Sequence, residues 1–221
     1  QRHFRRRTRL IAAVDWQKCG KNATVSPILP ANDPILKALA LPTRMAITRA
    51  EIDGTERQLE ALEEALKTGL RLVQVRDKSW PQANRLWLAE AVTRLAHEYK
   101  ALVLINDDEE IARRVGADGL HLSSARLAAC SARPDFNWVG ASCHTASEIA
   151  LAGELGLGYA LLGPVLPTPT HPEATGLGWQ GFSAQAAGNT LPVFALGGLS
   201  PDKLTEAQNH GAHGIALMRG W

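Results

Sequence analysis

The sequence contains Gly116-Ala-Asp-Gly-Leu-His-Leu122, a segment in which a helix end and a glycine turn lead into a short apolar strand. The same arrangement returns in Gly156-Leu-Gly-Tyr-Ala-Leu-Leu162 and in Gly211-Ala-His-Gly-Ile-Ala-Leu217. Apolar strands that alternate with helices are typical of a parallel sheet that is covered on both faces. From Arg44 onward, segments of this kind predict eight strands.

Eight strands separated by helices predict an α/β fold of the (β/α)8 or TIM-barrel type. The alternative is an open doubly wound sheet, but no Gly-x-Gly-x-x-Gly motif follows the first predicted strand. Only four residues follow the last predicted strand, Gly214–Leu217, so the final helix of the barrel is predicted to be missing. A capped helix over Asp33–Leu39 in the N-terminal extension is expected to cover the barrel face that this helix would occupy.

The bulk composition excludes several classes of protein. The chain has 221 residues and a net charge of +2, which does not predict a nucleic-acid-binding protein. No apolar run is long enough to predict a membrane span. The three cysteines form no Cys-x-x-Cys motif, which argues against a disulfide scaffold and for a reducing compartment. We therefore expect a cytoplasmic protein.

Polar residues follow the predicted strands at their C-terminal ends, where barrels of this type bind ligands. The second strand lies within Leu70-Arg-Leu-Val-Gln-Val-Arg-Asp-Lys78, and alternation places Gln74, Arg76 and Lys78 on one face. The two cations suit an anion such as a diphosphate. The other candidate residues at strand ends are Asn106, Asp107, Ser142, His144, Thr168, Thr170, His171, Gly197, Gly198, Met218 and Arg219.

These candidates predict phosphate chemistry. Gly197-Gly198 and Met218-Arg219 follow the last two strands, where backbone N–H groups bind phosphate in many barrels. Together with the cationic pair they predict two facing anion sites, for a substrate pair that carries a phosphate and a diphosphate. Asp107 beside Asn106 suggests Mg²⁺, although this turn could instead cap the following helix. His121, between two leucines, is expected to lie in the barrel interior rather than to bind a ligand.

Five segments also stand in the order and spacing found in thiamine phosphate synthase. From about Thr43 to Trp221 the chain resembles the superfamily of that synthase and the related thiazole tautomerase. The segments that carry the resemblance are Val73-Gln-Val-Arg-Asp-Lys78, Ile105-Asn-Asp-Asp108, Gly116-Ala-Asp-Gly-Leu-His-Leu122, Gly163-Pro-Val-Leu-Pro-Thr168 with Thr170, and Ala195-Leu-Gly-Gly-Leu199.

The resemblance implies a reaction in which an aminopyrimidine-methyl diphosphate loses pyrophosphate and a thiazole phosphate nitrogen captures the resulting cation. The protein stabilises charge on the leaving diphosphate. The residue roles that the resemblance implies are as follows: Arg76 and Lys78 hold the diphosphate, Asn106 and Asp107 hold the diphosphate and Mg²⁺, Ser142 faces the pyrimidine diphosphate, Thr168 and Thr170 flank the thiazole phosphate, and Gly197 and Gly198 bind that phosphate.

Two departures from the synthase pattern leave three alternatives for the activity of the chain. Ser123-Ser-Ala-Arg126 stands where the synthase has Gly-Gln-Glu-Asp, whose aspartate is a second magnesium ligand. His171 stands where the synthase has lysine. The sequence is in this respect similar to the tautomerase branch, in which a histidine matching His144 acts as general acid or base. A barrel that binds thiamine precursors without catalysis is the third alternative.

The N-terminal extension carries a second resemblance. Residues Val25–Leu39 are similar to the tail of a Nudix hydrolase domain, and some bacterial proteins fuse such a domain to a barrel of this type. We therefore divide the chain into residues 1–42, an extension that resembles the end of a Nudix domain, and residues 43–221, the barrel. A fused Nudix domain is the expected macromolecular partner, and the oligomeric state is left open.

Overall fold

The computed structural model describes residues 41–168 and 175–221. The predicted helix over Asp33–Leu39 and the candidate residues Thr170 and His171 lie outside the described residues. The division of the chain at residues 42 and 43 stays a prediction for the same reason.

Eight parallel strands close into a barrel in chain order, as the sequence predicts, and the open doubly wound sheet is therefore wrong. The ring is completed where the last strand pairs with the first, with Ala46 opposite Leu217. The strands are β1 (Arg44–Ile47), β2 (Leu72–Val75), β3 (Leu102–Asn106), β4 (Gly119–Leu122), β5 (Trp138–Cys143), β6 (Tyr159–Leu162), β7 (Val193–Leu196) and β8 (Gly214–Leu217).

Helices connect the strands on the outside of the barrel. Residues 218–221 form no helix. No helix in the described ranges is both long enough and apolar enough to span a membrane. The helices are α1 (Ala50–Asp53), α2 (Thr55–Lys67), α3 (Gln82–Glu98), α4 (Glu109–Val115), α5 (Ser124–Ala128), α6 (Ala146–Glu154), α7 (Gly178–Ala186), a 3₁₀ turn (Pro201–Lys203) and α8 (Leu204–Asn209).

The barrel has two separate apolar cores, because successive residues of a strand point to opposite faces. The larger core lies between the strands and the helices and includes Val73, Val103 and Leu120. The smaller core fills the barrel interior with larger side chains, among them Met45 and Phe194. The buried polar residues Gln74, Asn106 and His121 lie near the carboxyl ends of β2, β3 and β4, and that end carries the candidate site.

Gly140→Ala is expected to destabilise the barrel. A Cβ at Gly140 would lie 2.1 Å from Cε1 and from Cζ of Tyr159. Tyr159 is fully buried, so its ring has no free space into which it can move. Overpacking of this kind costs about 1–3 kcal/mol, which urea denaturation would measure as a lower free energy of unfolding.

Gly153→Ala is the matched control for this substitution. Gly153 lies in α6, and a Cβ there would meet only Leu191 Cδ1, at 4.0 Å. Alanine is a better helix former than glycine by about 1 kcal/mol, so this variant should be as stable as the parent chain or more stable. Equal free energies of unfolding for the two variants would contradict the packing argument.

Candidate active site

A cavity of about 570 Å³ opens at the carboxyl ends of the strands. We call it the main cavity. The structure brings most of the predicted residues to its wall, because the barrel gathers all eight strand ends around one opening. The candidate residues that line it are Gln74, Arg76, Lys78, Ser142, His144, Thr168, Gly197, Gly198, Met218 and Arg219.

A smaller cavity of about 220 Å³ lies beside the main cavity, at the ends of β2 and β3. Its wall contains the two remaining described candidates, Asn106 and Asp107. Arg76 and Lys78 line both cavities, so the two spaces share the cationic pair. An anion held by these cations therefore lies within reach of the Asn106-Asp107 turn.

The cationic pair is held in place by Asp77, a residue that the sequence analysis did not single out. Asp77 is buried, and its carboxylate accepts hydrogen bonds from Thr48 Oγ1 at 2.6 Å and from the backbone N–H of Glu51 at 2.7 Å. Thr48 Oγ1 in turn accepts from the backbone N–H of Arg76 at 2.9 Å. The first two strand ends are thereby tied together, which fixes the backbone that carries Arg76 and Lys78.

The electrostatics of this strand end reflect crowding of charge. Burial raises the pKa of Asp77, although its hydrogen bonds to Thr48 and Glu51 act in the opposite direction. Burial also lowers the pKa of Lys78, and the neighbouring Arg76 lowers it further. An anion between these two cations would relieve their repulsion, so the pair is suited to bind a ligand of high negative charge.

A chain of amide and carboxylate groups runs from β2 to the turn after β3. Gln74 Nε2 donates to Asn106 Oδ1 at 3.1 Å, and Asn106 Nδ2 donates to Asp107 Oδ2 at 2.9 Å. Asp107 Oδ1 accepts from the backbone N–H of Ser123 at 2.7 Å. Gln74 Oε1 is buried and has no hydrogen-bond partner within the described residues, which leaves one acceptor in the wall of the main cavity.

The structure shows which residue of the turn after β3 caps the following helix. Asp108, not Asp107, caps α4, because its Oδ1 accepts from the backbone N–H of Ile111 at 3.0 Å. Asp108 Oδ2 pairs with Arg85 Nη1 at 3.1 Å. Asp107 has a φ of 59°, and this left-handed backbone turns it away from the cap position. Asp107 is therefore the carboxylate of this turn that remains for a ligand.

His121 is fully buried in the barrel interior, as the sequence predicts. Nε2 of His121 lies 2.8 Å from Oγ of Ser142, which lines the main cavity. The sequence analysis did not predict this contact with the site. On the other side Nδ1 lies 2.8 Å from the hydroxyl of Tyr159. Burial, with the nearby charges of Lys78 and Arg76, lowers the pKa of His121 to about 3. Its imidazole is therefore neutral at neutral pH.

His144 and Arg126 have different surroundings. His144 lines the main cavity and its Nδ1 lies 3.6 Å from Oε2 of Glu148. Arg126, the residue that departs from the resemblance described above, pairs with Glu109 at 3.3 Å. Its side chain is 52% exposed, and it lines neither of the two cavities. Arg126 therefore adds no direct contact to a ligand in these cavities.

Metal binding at this site would depend on the substrate. In the part of the chain that the structure describes, no group of three or more His, Cys, Asp or Glu side chains is arranged to hold a metal ion. Asp107 carries one hydrogen bond on each carboxylate oxygen, which leaves lone pairs on both. Mg²⁺ is commonly held by one or two carboxylates together with phosphate oxygens and water. The donor set thus fits a Mg²⁺ that the ligand helps to hold.

The two glycines after β7 form part of the opposite wall. Gly197 and Gly198 have φ values of 98° and 68°, a region that favours glycine. A Cβ on Gly198 would lie 2.6 Å from the carbonyl oxygen of Pro167, so the loop after β6 could not approach as it does. The glycine pair therefore brings backbone, rather than side chains, to this side of the main cavity.

Comparisons with known proteins point to one family. The family model described as thiamine monophosphate synthase matches residues 44–221. A protein of Aquifex aeolicus named putative thiamine-phosphate synthase 2 is 36% identical over 181 residues, which cover 80% of this chain and 96% of the relative. A thiamine-phosphate synthase of Nostoc sp. is 36% identical over 170 residues, but these cover only 48% of that longer protein.

The solved structures agree with this result. Thiamine phosphate pyrophosphorylase from Pyrococcus furiosus superposes with a TM-score of 0.67 at 26% identity, over 83% of this chain and 87% of the other. A thiamine phosphate pyrophosphorylase from Bacteroides thetaiotaomicron has a TM-score of 0.57 at 17% identity, a likeness of fold alone.

The pH dependence of pyrophosphate binding should report on Lys78. Its pKa lies below the usual 10.5, so its charge is present below that lowered pKa and is lost as the pH rises through it. Arginine stays charged throughout this range. Relative to the Lys78→Arg variant, the affinity of the parent chain measured by calorimetry should fall by up to about tenfold per pH unit above the pKa.

The ratio between the two proteins cancels the ionisation of pyrophosphate itself, which affects both equally. Lys203→Arg serves as a control, because Lys203 pairs with Glu206 and lines neither cavity. A constant ratio between the parent chain and Lys78→Arg from neutral pH to about pH 10.5 would contradict the assigned role of Lys78.

Proposed function

The chain belongs to the thiamine monophosphate synthase family, and we propose that it carries out the reaction for which that family is named. An aminopyrimidine-methyl group passes from its diphosphate to the nitrogen of a thiazole phosphate, and pyrophosphate leaves. The carbon–oxygen bond to the diphosphate breaks and both of its electrons leave with the pyrophosphate. The nitrogen lone pair of the thiazole then forms the new carbon–nitrogen bond, and the product is thiamine phosphate.

One observation carries this proposal: the cationic pair and the amide chain reach the same ligand space from neighbouring strands. Arg76 and Lys78 lie in the wall of both cavities, and Asn106 with Asp107 lines the smaller one. Negative charge grows on the diphosphate as its bond to carbon breaks. Fixed cations and N–H donors at that place lower the barrier, because they stabilise the leaving group more strongly than the reactant.

Gln74 supports the choice of an aminopyrimidine. Its Oε1 is buried without a partner among the described residues, in the wall of the main cavity. Its Nε2 is already bonded to Asn106, which orients the amide so that the oxygen remains available. An acceptor held in this way suits an amino group on the ligand. A ligand without such a donor would leave the oxygen unsatisfied, at a cost of about 1–3 kcal/mol.

We propose that Mg²⁺ assists this reaction through Asp107. The ion would be held by Asp107 and by oxygens of the diphosphate, and it would supply positive charge to the leaving group. Asn106 donates to Asp107 and Ser123 donates to it from the other side, so the carboxylate is held in one orientation. Position 126 holds an arginine, which is paired with Glu109, and therefore supplies no second acidic ligand. In this proposal Asp107 is the carboxylate that binds the ion.

The thiazole phosphate is assigned to the opposite wall of the main cavity. Gly197, Gly198 and Thr168 line that wall, and Arg219 with Met218 completes it. The roles of Thr170 and His171 rest on the family pattern alone, because both lie outside the described residues. In this proposal the two phosphate-bearing substrates meet between β2 and β7, with the pyrimidine below the cationic pair.

The cellular setting is also a proposal. Cys130 and Cys143 are free thiols, which supports a reducing compartment such as the cytoplasm. A fused Nudix domain rests on the resemblance of residues 25–39 and on no other observation.

The alternative activity is that of a thiazole tautomerase, and one contact favours it. His144 lines the main cavity, where a histidine could act as general acid or base, and its Nδ1 lies 3.6 Å from Oε2 of Glu148. This reaction moves a proton on the thiazole and requires neither diphosphate nor metal.

His144→Ala distinguishes the two activities. If the chain is a tautomerase, this substitution should lower thiazole isomerisation by about 10²-fold or more, because proton transfer loses its acid or base. If the chain is a synthase, pyrophosphate release should persist within about tenfold of the parent chain. Both rates can be followed by proton NMR of the substrates. A thiazole isomerisation rate that is unchanged in His144→Ala would eliminate the tautomerase as we describe it.

The synthase proposal is tested by pyrophosphate release from the two substrates with and without Mg²⁺. We expect turnover that requires both substrates and the metal ion. Asp107→Asn should reduce kcat by about 10²-fold or more at low Mg²⁺, since an amide binds the ion weakly. Asp135→Asn is the matched control, because Asp135 is exposed and lines neither cavity. Absence of pyrophosphate release by the parent chain at any Mg²⁺ concentration would refute the proposal.

A further inference from the structure

Three side chains on neighbouring strands form a line of hydrogen bonds that ends in the main cavity. The hydroxyl of Tyr159 on β6 lies 2.8 Å from Nδ1 of His121 on β4. Nε2 of His121 lies 2.8 Å from Oγ of Ser142 on β5. Tyr159 and His121 are fully buried, whereas Ser142 lines the main cavity. The line therefore has one buried end and one end open to a ligand.

The number of hydrogens in this line is set by its surroundings. His121 is fully buried and both of its ring nitrogens face hydroxyl groups rather than carboxylates, so its imidazole is neutral and carries one N–H. Burial raises the pKa of Tyr159 well above its usual value, so the phenol keeps its hydrogen. With the hydroxyl hydrogen of Ser142, three hydrogens are present for two hydrogen bonds. One hydrogen is left over, and it must lie at one of the two ends.

The buried end is the costly place for that hydrogen. If His121 carried its hydrogen on Nδ1 and donated to Tyr159, the phenolic hydrogen would be buried with no other acceptor among the described residues. A buried donor without an acceptor loses its interaction with water and gains nothing in return. If Tyr159 donates to Nδ1 instead, His121 carries its hydrogen on Nε2 and donates to Ser142. Every buried group in the line is then satisfied.

We propose that Tyr159 and His121 are positioning residues that make the hydroxyl of Ser142 a hydrogen-bond donor directed into the main cavity. Ser142 then favours ligand atoms that accept a hydrogen bond, such as the anionic oxygens of a diphosphate, over groups that donate one. Arg76 and Lys78 line the same cavity and favour the same ligand charge. The direction of the hydroxyl stands on the geometry alone, and its assignment to a diphosphate oxygen rests on the proposed function.

The first test is the tautomer of His121 in the free protein. Nitrogen-15 NMR of the histidine-labelled chain distinguishes a neutral imidazole protonated on Nε2 from one protonated on Nδ1. The signal of His121 can be assigned from the Ser142→Ala variant, which removes the partner of Nε2. We expect the form protonated on Nε2 at neutral pH. A form protonated on Nδ1 would overturn the proposal.

The second test uses inorganic pyrophosphate as the probe, with affinities measured by calorimetry. Tyr159→Phe keeps the ring packed against Phe194, whose centroid lies 5.9 Å away, and removes only the hydroxyl. We expect it to weaken pyrophosphate binding about three- to tenfold, the range of one hydrogen bond. In the Ser142→Ala background the same substitution should have no further effect, because the group that it directs is gone.

Tyr99→Phe is the matched control, because Tyr99 is the other tyrosine of the chain and its hydroxyl donates to Glu63 at 3.3 Å, away from both cavities. It should leave pyrophosphate affinity unchanged. Unchanged affinity in Tyr159→Phe, or an equal loss with and without the hydroxyl of Ser142, would overturn the proposal. The first test uses the free chain and the second uses inorganic pyrophosphate, so a failure to form thiamine phosphate would refute the proposed function and leave this inference standing.

Discussion

The pairing of β8 with β1 is the interaction on which the rest of the site depends. Arg44 lies opposite Ile215 and Ala46 opposite Leu217, so the sheet has no open edge and its strand ends form a ring. In an open sheet the groups after β8 would lie far from those after β2. Closure places Met218 and Arg219 in the same cavity wall as residues after the second strand. The site that we propose for two phosphate-bearing ligands depends on this closure.

Within the ring, three buried polar side chains lie near the carboxyl ends of the strands. Gln74, Asn106 and His121 are buried, and each has a hydrogen-bond partner on another strand or in the turn that follows β3. Below them the interior is apolar and includes Met45 and Phe194. Buried polar groups are tolerated when they are paired, and paired groups cannot turn freely. The site is therefore rigid where ligand atoms must be oriented, and the apolar layer supplies the stability that supports it.

The fold, and the grouping of the described candidate residues at one end of the barrel, could be predicted because each depends on local pattern. Apolar strands, glycine turns and residues at strand ends can be read along the chain, and the structure places the described candidates in the two cavities. The division of roles between Asp107 and Asp108 could not be predicted, since it depends on a single left-handed torsion angle. The contact of Tyr159 with His121 joins residues 38 positions apart on different strands. Asp77 was missed although an acidic residue between two cations was itself a signal.

The charged side chains that line the main cavity are cationic, and their mutual repulsion favours the binding of an anion. Arg76, Lys78 and Arg219 line the main cavity, whereas no acidic side chain of residues 41–168 and 175–221 does. Burial lowers the pKa of Lys78 and the neighbouring Arg76 lowers it further, so part of the cost in the free protein is repulsion between these two cations. Arg126 does not add to this cost, because Glu109 neutralises it outside the cavities. A bound diphosphate removes the repulsion, so part of its binding energy is the relief of strain already present in the free protein. Ligand binding should for that reason also stabilise the folded barrel.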